Sequence, residues 1–240
     1  KESINLEGRR IVDISYFISS LIELASHGSQ FNCSLQNMFI TKEERNGFIS
    51  TLHFHCNMCN SNFQIHTSEN SEDNVNKDTV LGVMSIGSGF SHLQQFSASV
   101  EIPCMSSRMY TNVHDKICDV WEEVSLEAMN QAAENEKSLA VAAGDVDVHG
   151  NGLITVVADG SWAKRSYKNK YNSLSGVAAI IGWRTKKVLF IGVRNKYCTI
   201  CRFIERNNKS WQDHKCFKNW TDSSTSMEGD ILAEASKCMD

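Results

Sequence analysis

Four residues with metal-binding side chains lie in two compact pairs after the last strand-like run. Cys198-x-x-Cys201 is followed, after 12 intervening residues, by His214-x-Cys216. Thiolate and imidazole groups hold structural zinc in proteins, and two close pairs can complete a tetrahedron. The spacing therefore predicts a structural zinc site that pins the basic loop 202–218 against the end of a strand. The alternative is that the four residues are unrelated.

A second group of such residues lies in the first quarter of the chain. Cys56-x-x-Cys59 joins two strand-like runs, as in a zinc knuckle. We predict Cys33 as the third ligand, with a free, buried thiol as the alternative, and His27 as the fourth. Three other histidines compete for that fourth place: His53, His55 and His66. Two structural Zn²⁺ ions per chain are therefore expected.

A carboxylate follows an apolar run in the second half of the chain. Leu153–Ala158 is predicted to be a buried strand, and it is followed by Asp159, Gly160 and a polar turn. A buried strand that delivers an acid to the edge of a sheet can position a metal-binding carboxylate. The alternative is an Asp that merely starts a turn.

Basic residues are concentrated directly after this strand. From Gly160 to Trp220 there are 14 Lys and Arg against 2 acids, although the whole chain has a net charge of −4. This local excess favours contact with a phosphate backbone, with a solvated basic surface as the alternative. No apolar run approaches the roughly 18 residues of a membrane helix, so no membrane partner is expected. The chain has nine cysteines and no secretory signal, and its two Cys-x-x-Cys spacings favour zinc over disulfides. This indicates a reducing compartment, the cytosol or the nucleus.

The elements of the first half must position the earlier cysteines. A helix is predicted over about residues 8–27, and six residues form its apolar face: Ile11, Ile14, Ile18, Leu21, Ile22 and Ala25. An alternating strand from Phe48 to Phe54 leads into the Cys-x-x-Cys turn, and a short strand from Phe63 to His66 returns from it. Residues 69–78 are predicted to be a linker.

The second half begins with a long helix and ends with a short one. The long helix is predicted over about residues 108–143, with an acidic exposed side: Glu122, Glu123, Glu127, Glu134 and Glu136. Three strand-like runs follow, and a short turn between the second and third favours an antiparallel hairpin. A helix then runs to about Lys237, and the acid Glu228 falls in its first turn.

Three strands followed by a helix, with an acid on the first strand and on the helix, match the opening of an RNase H-like fold. The local motifs also resemble the Mutator-like DDE transposase domain of animal transposons. The motifs of this chain that carry the resemblance are Asp159-Gly-Ser-Trp162, Ser175-Gly-Val177, Asn195-Lys-Tyr-Cys198, His214-x-Cys216, Asn219-Trp220 and Met227-Glu228. The N-terminal helix, the knuckle with Arg45-Asn-Gly47 and the helical middle also resemble that family's leading region.

The expected fold class is mixed, α+β with α/β character, in three regions. Residues 1–70 would hold an N-terminal helix and zinc knuckle, and residues 71–148 a helical region with one long helix. Residues 149–240 would form the first half of an RNase H-like unit with a zinc insertion.

The resemblance implies roles for individual residues. Asp159 would be the first metal-binding carboxylate of an acidic triad, and Glu228 a further acid on the first helix. Carboxylates of such enzymes hold Mg²⁺ for an in-line attack on DNA phosphate. Four basic residues would contact phosphates: Lys164, Arg165, Lys168 and Lys170. The implied partner is DNA at transposon ends, in the nucleus, and homo-oligomerisation is left open.

The remaining acids of the triad are expected beyond Asp240. We therefore expect a fragment, a truncated product or a domesticated remnant with little strand-transfer activity alone. The alternatives are a non-enzymatic, zinc-stabilised DNA-binding protein and a protein-interaction module that uses the acidic helix.

Overall fold

The structure, a computed structural model, describes residues 4–28, 31–69, 75–163 and 173–238. These residues form six α-helices and two three-stranded antiparallel sheets, so the predicted mixed α+β class is confirmed. The chain divides into two compact units, Lys1–Trp121 and Glu122–Asp240. The predicted division into three regions stays a prediction. Within the described residues, no helix combines the length and the apolar character needed to cross a membrane.

The first unit combines a small sheet with helices. Its helices are α1 (Ile14–Ala25), α2 (Val75–Ser85), α3 (Phe90–Ser99) and the first part of α4 (Ser107–Ala142). Its sheet has the order β1 (Met38–Asn46), β2 (Ile49–Cys56), β3 (Asn62–His66). Buried side chains from the sheet turn, from α2, α3 and α4, and from the segment before α4 form one core: Phe48, Val80, Leu93, Met105, Tyr110 and Ile117.

The strand β1 was missed by the sequence analysis, although a hairpin signal precedes β2. The two turn residues are Gly47 and Phe48, and Gly47 at the first position adopts a φ of 67°, as a hairpin turn of this length requires. A side chain at Gly47 would also overlap the amide of Asn76. That buried amide accepts a hydrogen bond from the N–H of Phe48 (2.8 Å) and donates one to the carbonyl of Asn46 (2.9 Å). The turn and α2 therefore hold each other in place.

The predicted apolar face of α1 is wrong for three of its six residues. Ile14, Ile18 and Ile22 are 71%, 49% and 64% exposed, whereas Leu24 is 4% exposed. The helix packs against β3. It also begins later than predicted, because Asp13 caps it by accepting a hydrogen bond from the N–H of Tyr16 (3.1 Å). Apolar residues surround more than one side of α1, so periodicity alone does not select the buried side.

The second unit places one helix against one face of a sheet. Its strands are β4 (Val156–Trp162), β5 (Ser175–Gly182) and β6 (Val188–Asn195), and its further helices are α5 (Thr199–Arg206) and α6 (Met227–Cys238). The strands pair antiparallel in chain order, so the predicted hairpin of the second and third strands is confirmed. Arg194 of β6 joins the sheet to α6 through Asp230 (2.5 Å) and Glu234 (2.6 Å).

The strand β4 is neither buried nor where the apolar run predicts it. It extends to Trp162 and therefore contains Asp159, which was predicted to follow the strand. Val156 and Val157 are 37% and 45% exposed. Within the described residues β4 pairs only with β5, so it is an edge strand. Apolar residues on an edge strand give the same sequence pattern as those on a central strand, because the pattern reports no neighbours.

A buried acid on α4 corrects a further expectation. The sequence predicts Glu136 on the exposed side of the helix, but its side chain is fully buried. Its two carboxylate oxygens accept hydrogen bonds from the backbone N–H groups of Arg184 and Thr185, each at 2.8 Å. These N–H groups belong to the turn between β5 and β6, so Glu136 fixes that turn to α4.

The contact between α6 and β6 depends on a glycine. A Cβ on Gly192 would overlap Cγ2 of Ile231, a fully buried residue of α6. We expect Gly192→Ala to lower the free energy of unfolding by about 1–3 kcal/mol, because the overpacked helix must move away from the sheet. Urea denaturation measures this loss. Gly229→Ala is the control, because no atom lies within 4 Å of a Cβ at Gly229. An equal effect of both changes would contradict the prediction.

Candidate functional site

The C-terminal Cys/His cluster has the dimensions of a zinc site. Nε2 of His214 lies 3.3 Å from Sγ of Cys198 and 3.4 Å from Sγ of Cys201. Sγ of Cys201 lies 3.5 Å from Sγ of Cys216. All four ligand atoms lie within 4.8 Å of one another. Tetrahedral Zn–S and Zn–N bonds of about 2.0–2.3 Å require separations of about this size.

The local backbone prepares the C-terminal cluster for a cation. Cys198 is the N-cap of α5, and the N–H group of Cys201 lowers the pKa of its thiol to about 6. Nδ1 of His214 hydrogen-bonds the carbonyl of Gln212 (2.9 Å), which directs Nε2 at the sulfurs. This carbonyl also raises the pKa of His214 to about 9, so zinc must displace a proton from the imidazole. A carbonyl behind a ligating histidine is typical of metal sites.

The N-terminal cluster joins α1 to the sheet β1–β3. The ligand atoms of His27, Cys33, Cys56 and Cys59 all lie within 4.8 Å of one another. Nδ1 of His27 hydrogen-bonds the carbonyl of Leu24 (2.6 Å). Its Nε2 is buried and has no hydrogen-bond partner. A buried polar atom without a partner is costly, and a metal ion would satisfy it. These residues therefore fit zinc.

Three local features bring the N-terminal ligands together. Cys56 ends β2 and is fully buried, and Cys59 lies in the turn before β3. Burial opposes ionisation of Cys56, but hydrogen bonds led by the N–H group of Cys59 lower its pKa to about 6. Gly28 turns the chain after α1 with a φ of 63°, and a Cβ there would lie 3.0 Å from Sγ of Cys33. A glycine is therefore needed beside the cluster.

The three rival histidines lie outside this cluster. Nδ1 of His55 hydrogen-bonds Oδ1 of Asn62, and Nδ1 of His66 bonds the Thr51 hydroxyl, each at 2.9 Å. Nε2 of His53 lies 3.6 Å from a carboxylate oxygen of Glu44. Two Cys/His clusters in this structure could therefore bind zinc, and His27 occupies the fourth position of the first.

The two predicted catalytic acids lie on neighbouring elements. Glu228 is half-buried in the first turn of α6, and its Cδ would lie 2.8 Å from a Cβ on Gly160. Asp159 precedes that glycine, is exposed, and accepts a hydrogen bond from the N–H group of Gly160 (2.9 Å). Successive strand residues face opposite sides of a sheet. Because Gly160 faces α6, the side chain of Asp159 is directed to the other side.

This arrangement does not by itself form a magnesium site. The two carboxylates belong to opposite faces of β4, and Mg²⁺ requires oxygen ligands that converge. In the described ranges, Asp159 and Glu228 are in no group of three or more Asp, Glu, His or Cys that could hold a metal. Both acids and their Mg²⁺ therefore stay predictions.

The four predicted phosphate-contacting residues, Lys164, Arg165, Lys168 and Lys170, lie outside the described residues. Among the described basic residues, Arg184 pairs with Asp145, and Arg194 with α6. The sequence analysis missed the exposed aromatic residues of the segment between the C-terminal zinc ligands. Alternation of aromatic with basic residues after Cys201 was the available signal.

A family model described as Mutator-like transposase matches residues 8–240, which include both Cys/His clusters and both sheets. The resemblance seen in the motifs between Asp159 and Glu228 is thereby confirmed. Neither a curated protein nor a solved structure matches the chain.

Proposed function

The chain belongs to the Mutator-like transposase family, and from this premise we propose that it binds transposon DNA and acts in its transposition. The observation that carries the proposal is the zinc-binding geometry of Cys198, Cys201, His214 and Cys216 within a strongly basic segment. A clamped basic segment presents its charges in fixed positions, which suits binding to a phosphate backbone.

The proposed catalytic framework is an RNase H-like unit formed by β4, β5, β6 and α6. It is supported by the order of these elements and by the packing of α6 on the sheet, where Glu228 of α6 lies against Gly160 of β4. We assign Asp159 as the first acid of the framework, because its carboxylate is exposed. We assign Glu228 as the further acid. It belongs to α6 and therefore lies on the side of the sheet opposite to the Asp159 side chain. Mg²⁺ would supply the electrophilic activation of the phosphate that the family uses.

A second candidate function is DNA binding without catalysis. It is favoured by the placement of Asp159 and Glu228 on opposite faces of β4. In that case the zinc-stabilised scaffold binds DNA, and the acids have only structural roles. Asp159→Asn separates the two candidates. If the chain is catalytic, this variant should lose Mg²⁺-dependent strand cleavage and keep its DNA affinity. If the chain only binds DNA, parent and variant should have the same DNA affinity and the same cleavage background.

The compartment is proposed to be the nucleus, where transposon DNA resides. Fluorescence microscopy of the tagged protein tests this assignment.

Salt dependence of duplex binding tests the proposal. The logarithm of the affinity should fall linearly with the logarithm of salt concentration, with a slope near −0.9 per neutralised phosphate. Replacing Lys164, Arg165, Lys168 and Lys170 with Ala should reduce the slope by about four, because each phosphate contact contributes about one. Fluorescence anisotropy at several salt concentrations measures it.

The control removes the same charge from the other parts of the chain. In the control protein four lysines outside residues 160–220 are replaced: Lys42, Lys77, Lys116 and Lys137. Their replacement with Ala should leave the slope unchanged. Equal slopes in all three proteins, or no duplex binding at low salt, would reject the proposed function.

A further inference from the structure

Three aromatic side chains are exposed within the zinc-clamped segment Cys198–Cys216 and its immediate continuation. Phe203, Trp211 and Phe217 are 53%, 68% and 62% exposed. A single exposed aromatic residue is ordinary on a protein surface. Three exposed aromatic residues in one short segment, which also carries the zinc ligands, favour a binding surface instead. We call Phe203, Trp211 and Phe217 the aromatic triplet.

Positive charges lie directly beside the aromatic triplet. Nζ of Lys209 lies 4.7 Å from the ring centroid of Phe203, and Nζ of Lys215 lies 6.0 Å from that of Phe217. Residues 199–218 contain five Lys and Arg against two acids. No ion pair among the described residues involves Arg202, Arg206 or Lys209. A ligand for this surface must therefore combine flat apolar groups with negative charge.

The zinc cluster fixes the most exposed member of the triplet. The ring of Trp211 packs against His214, with centroids 5.3 Å apart and planes inclined by 47°. His214 belongs to the cluster, so a zinc ion bound there would restrain the indole through it. At the other end, the side chain of Asn219 bonds β6 through the N–H of Asn195 (2.6 Å) and the carbonyl of Val193 (2.9 Å). The segment is therefore held at both ends although residues 207–218 form no helix or strand.

We propose that this segment binds an unpaired stretch of DNA, with bases stacked on the aromatic triplet and phosphates held by its Lys and Arg side chains. Bases in a duplex are already stacked on each other, so their faces are not accessible to Trp211. Unpaired bases expose both faces, and stacking on aromatic side chains with a basic groove beside them is how proteins bind single strands. The inference rests on the proposed function, because it specifies which form of DNA, single-stranded or duplex, this segment binds.

Binding of a labelled single strand, compared with the duplex of the same sequence, tests the inference. Trp211→Leu keeps apolar volume but removes the aromatic face. It should weaken single-strand binding by about fivefold to 150-fold, since one stacked base contributes about 1–3 kcal/mol. Duplex affinity should change less than about twofold. Trp211→Phe should restore most single-strand affinity, because it restores an aromatic face.

The matched control is Trp183→Leu, which removes another exposed tryptophan that also has a lysine over its ring (Lys186 Nζ, 3.7 Å). Trp183 lies in the β5–β6 turn, outside the segment, so its replacement should leave single-strand affinity unchanged. Because Trp211 contacts His214, zinc content is measured in every variant. Phe217→Leu provides a second test, and it should weaken single-strand binding while zinc is retained.

The outcomes separate this inference from the proposed function. Unchanged single-strand affinity in Trp211→Leu and Phe217→Leu, both with full zinc, would overturn the inference while salt-dependent duplex binding still supports the function. An equal loss in Trp183→Leu would also overturn it, since any exposed tryptophan would then suffice. Tighter binding to single-stranded RNA than to DNA of the same sequence would overturn the assignment to DNA.

Discussion

Replacing Cys198 with Ser should reduce bound zinc from two ions per chain to one. Cys198 is the N-cap residue of α5 and its Sγ lies 3.3 Å from Nε2 of His214, so the variant loses one of four candidate ligands. Residues 207–218 contain no helix or strand, and a zinc ion held by the four ligands would join the two halves of the segment. In small zinc-stabilised modules zinc binding contributes roughly 10 kcal/mol, and this binding free energy stabilises the folded state. We therefore expect new proteolytic cleavage between Cys201 and Cys216.

Metal analysis by mass spectrometry and limited proteolysis measure these effects. Cys118→Ser is the matched control, because Cys118 lies on α4 and belongs to neither cluster. It should retain two zinc ions and the parental cleavage pattern. Finding no zinc in the parental protein would reject both cluster assignments. Full zinc content in Cys198→Ser would reject the ligand role of Cys198 alone.

Glu136→Ala should be the most destabilising single change in the second unit outside the zinc cluster. It removes the acceptor of two backbone N–H groups in the turn between β5 and β6. Hydrogen bonds to a charged group contribute about 1.5–3 kcal/mol each, and buried N–H groups left without a partner add a penalty. We expect the free energy of unfolding to fall by about 3–5 kcal/mol, measured by urea denaturation at neutral pH.

The same carboxylate should make stability depend on pH. Burial favours the neutral acid, but the N–H groups of Arg184 and Thr185 outweigh it and lower the pKa of Glu136. Its stabilising contribution is thus complete above the pKa of an unfolded Glu and is lost as the pH falls through the lowered value. The difference in stability between parent and Glu136→Ala should therefore shrink below about pH 4.

Two further variants control this prediction. Glu134→Ala removes an exposed acid of the same helix and should change stability by less than about 0.5 kcal/mol. Glu136→Gln keeps one carbonyl acceptor, so its loss should be smaller than that of the Ala variant. A pH-independent difference between the parent and Glu136→Ala would contradict the assigned role of the charge.

The zinc ligands show how far short-range spacing reaches. Each Cys-x-x-Cys pair, and the pair His214-x-Cys216, is confined by the chain to a turn, so the spacing predicted that these side chains meet. The choice of His27 over His53, His55 and His66 involved residues distant in sequence. It was settled by the end of α1, where the carbonyl of Leu24 orients the imidazole.

The sequence by itself determined the family, the mixed class of fold, the cysteines of both Cys/His clusters and His214. These follow from local motifs and from ligand chemistry, which neighbouring residues along the chain carry. Only the tertiary structure decided that Glu136 is buried, that Ile14 and Ile18 of α1 are exposed, and that Asp159 faces away from α6. In each case the side that is covered depends on which element packs there, and hydrophobic periodicity carries no information about that partner.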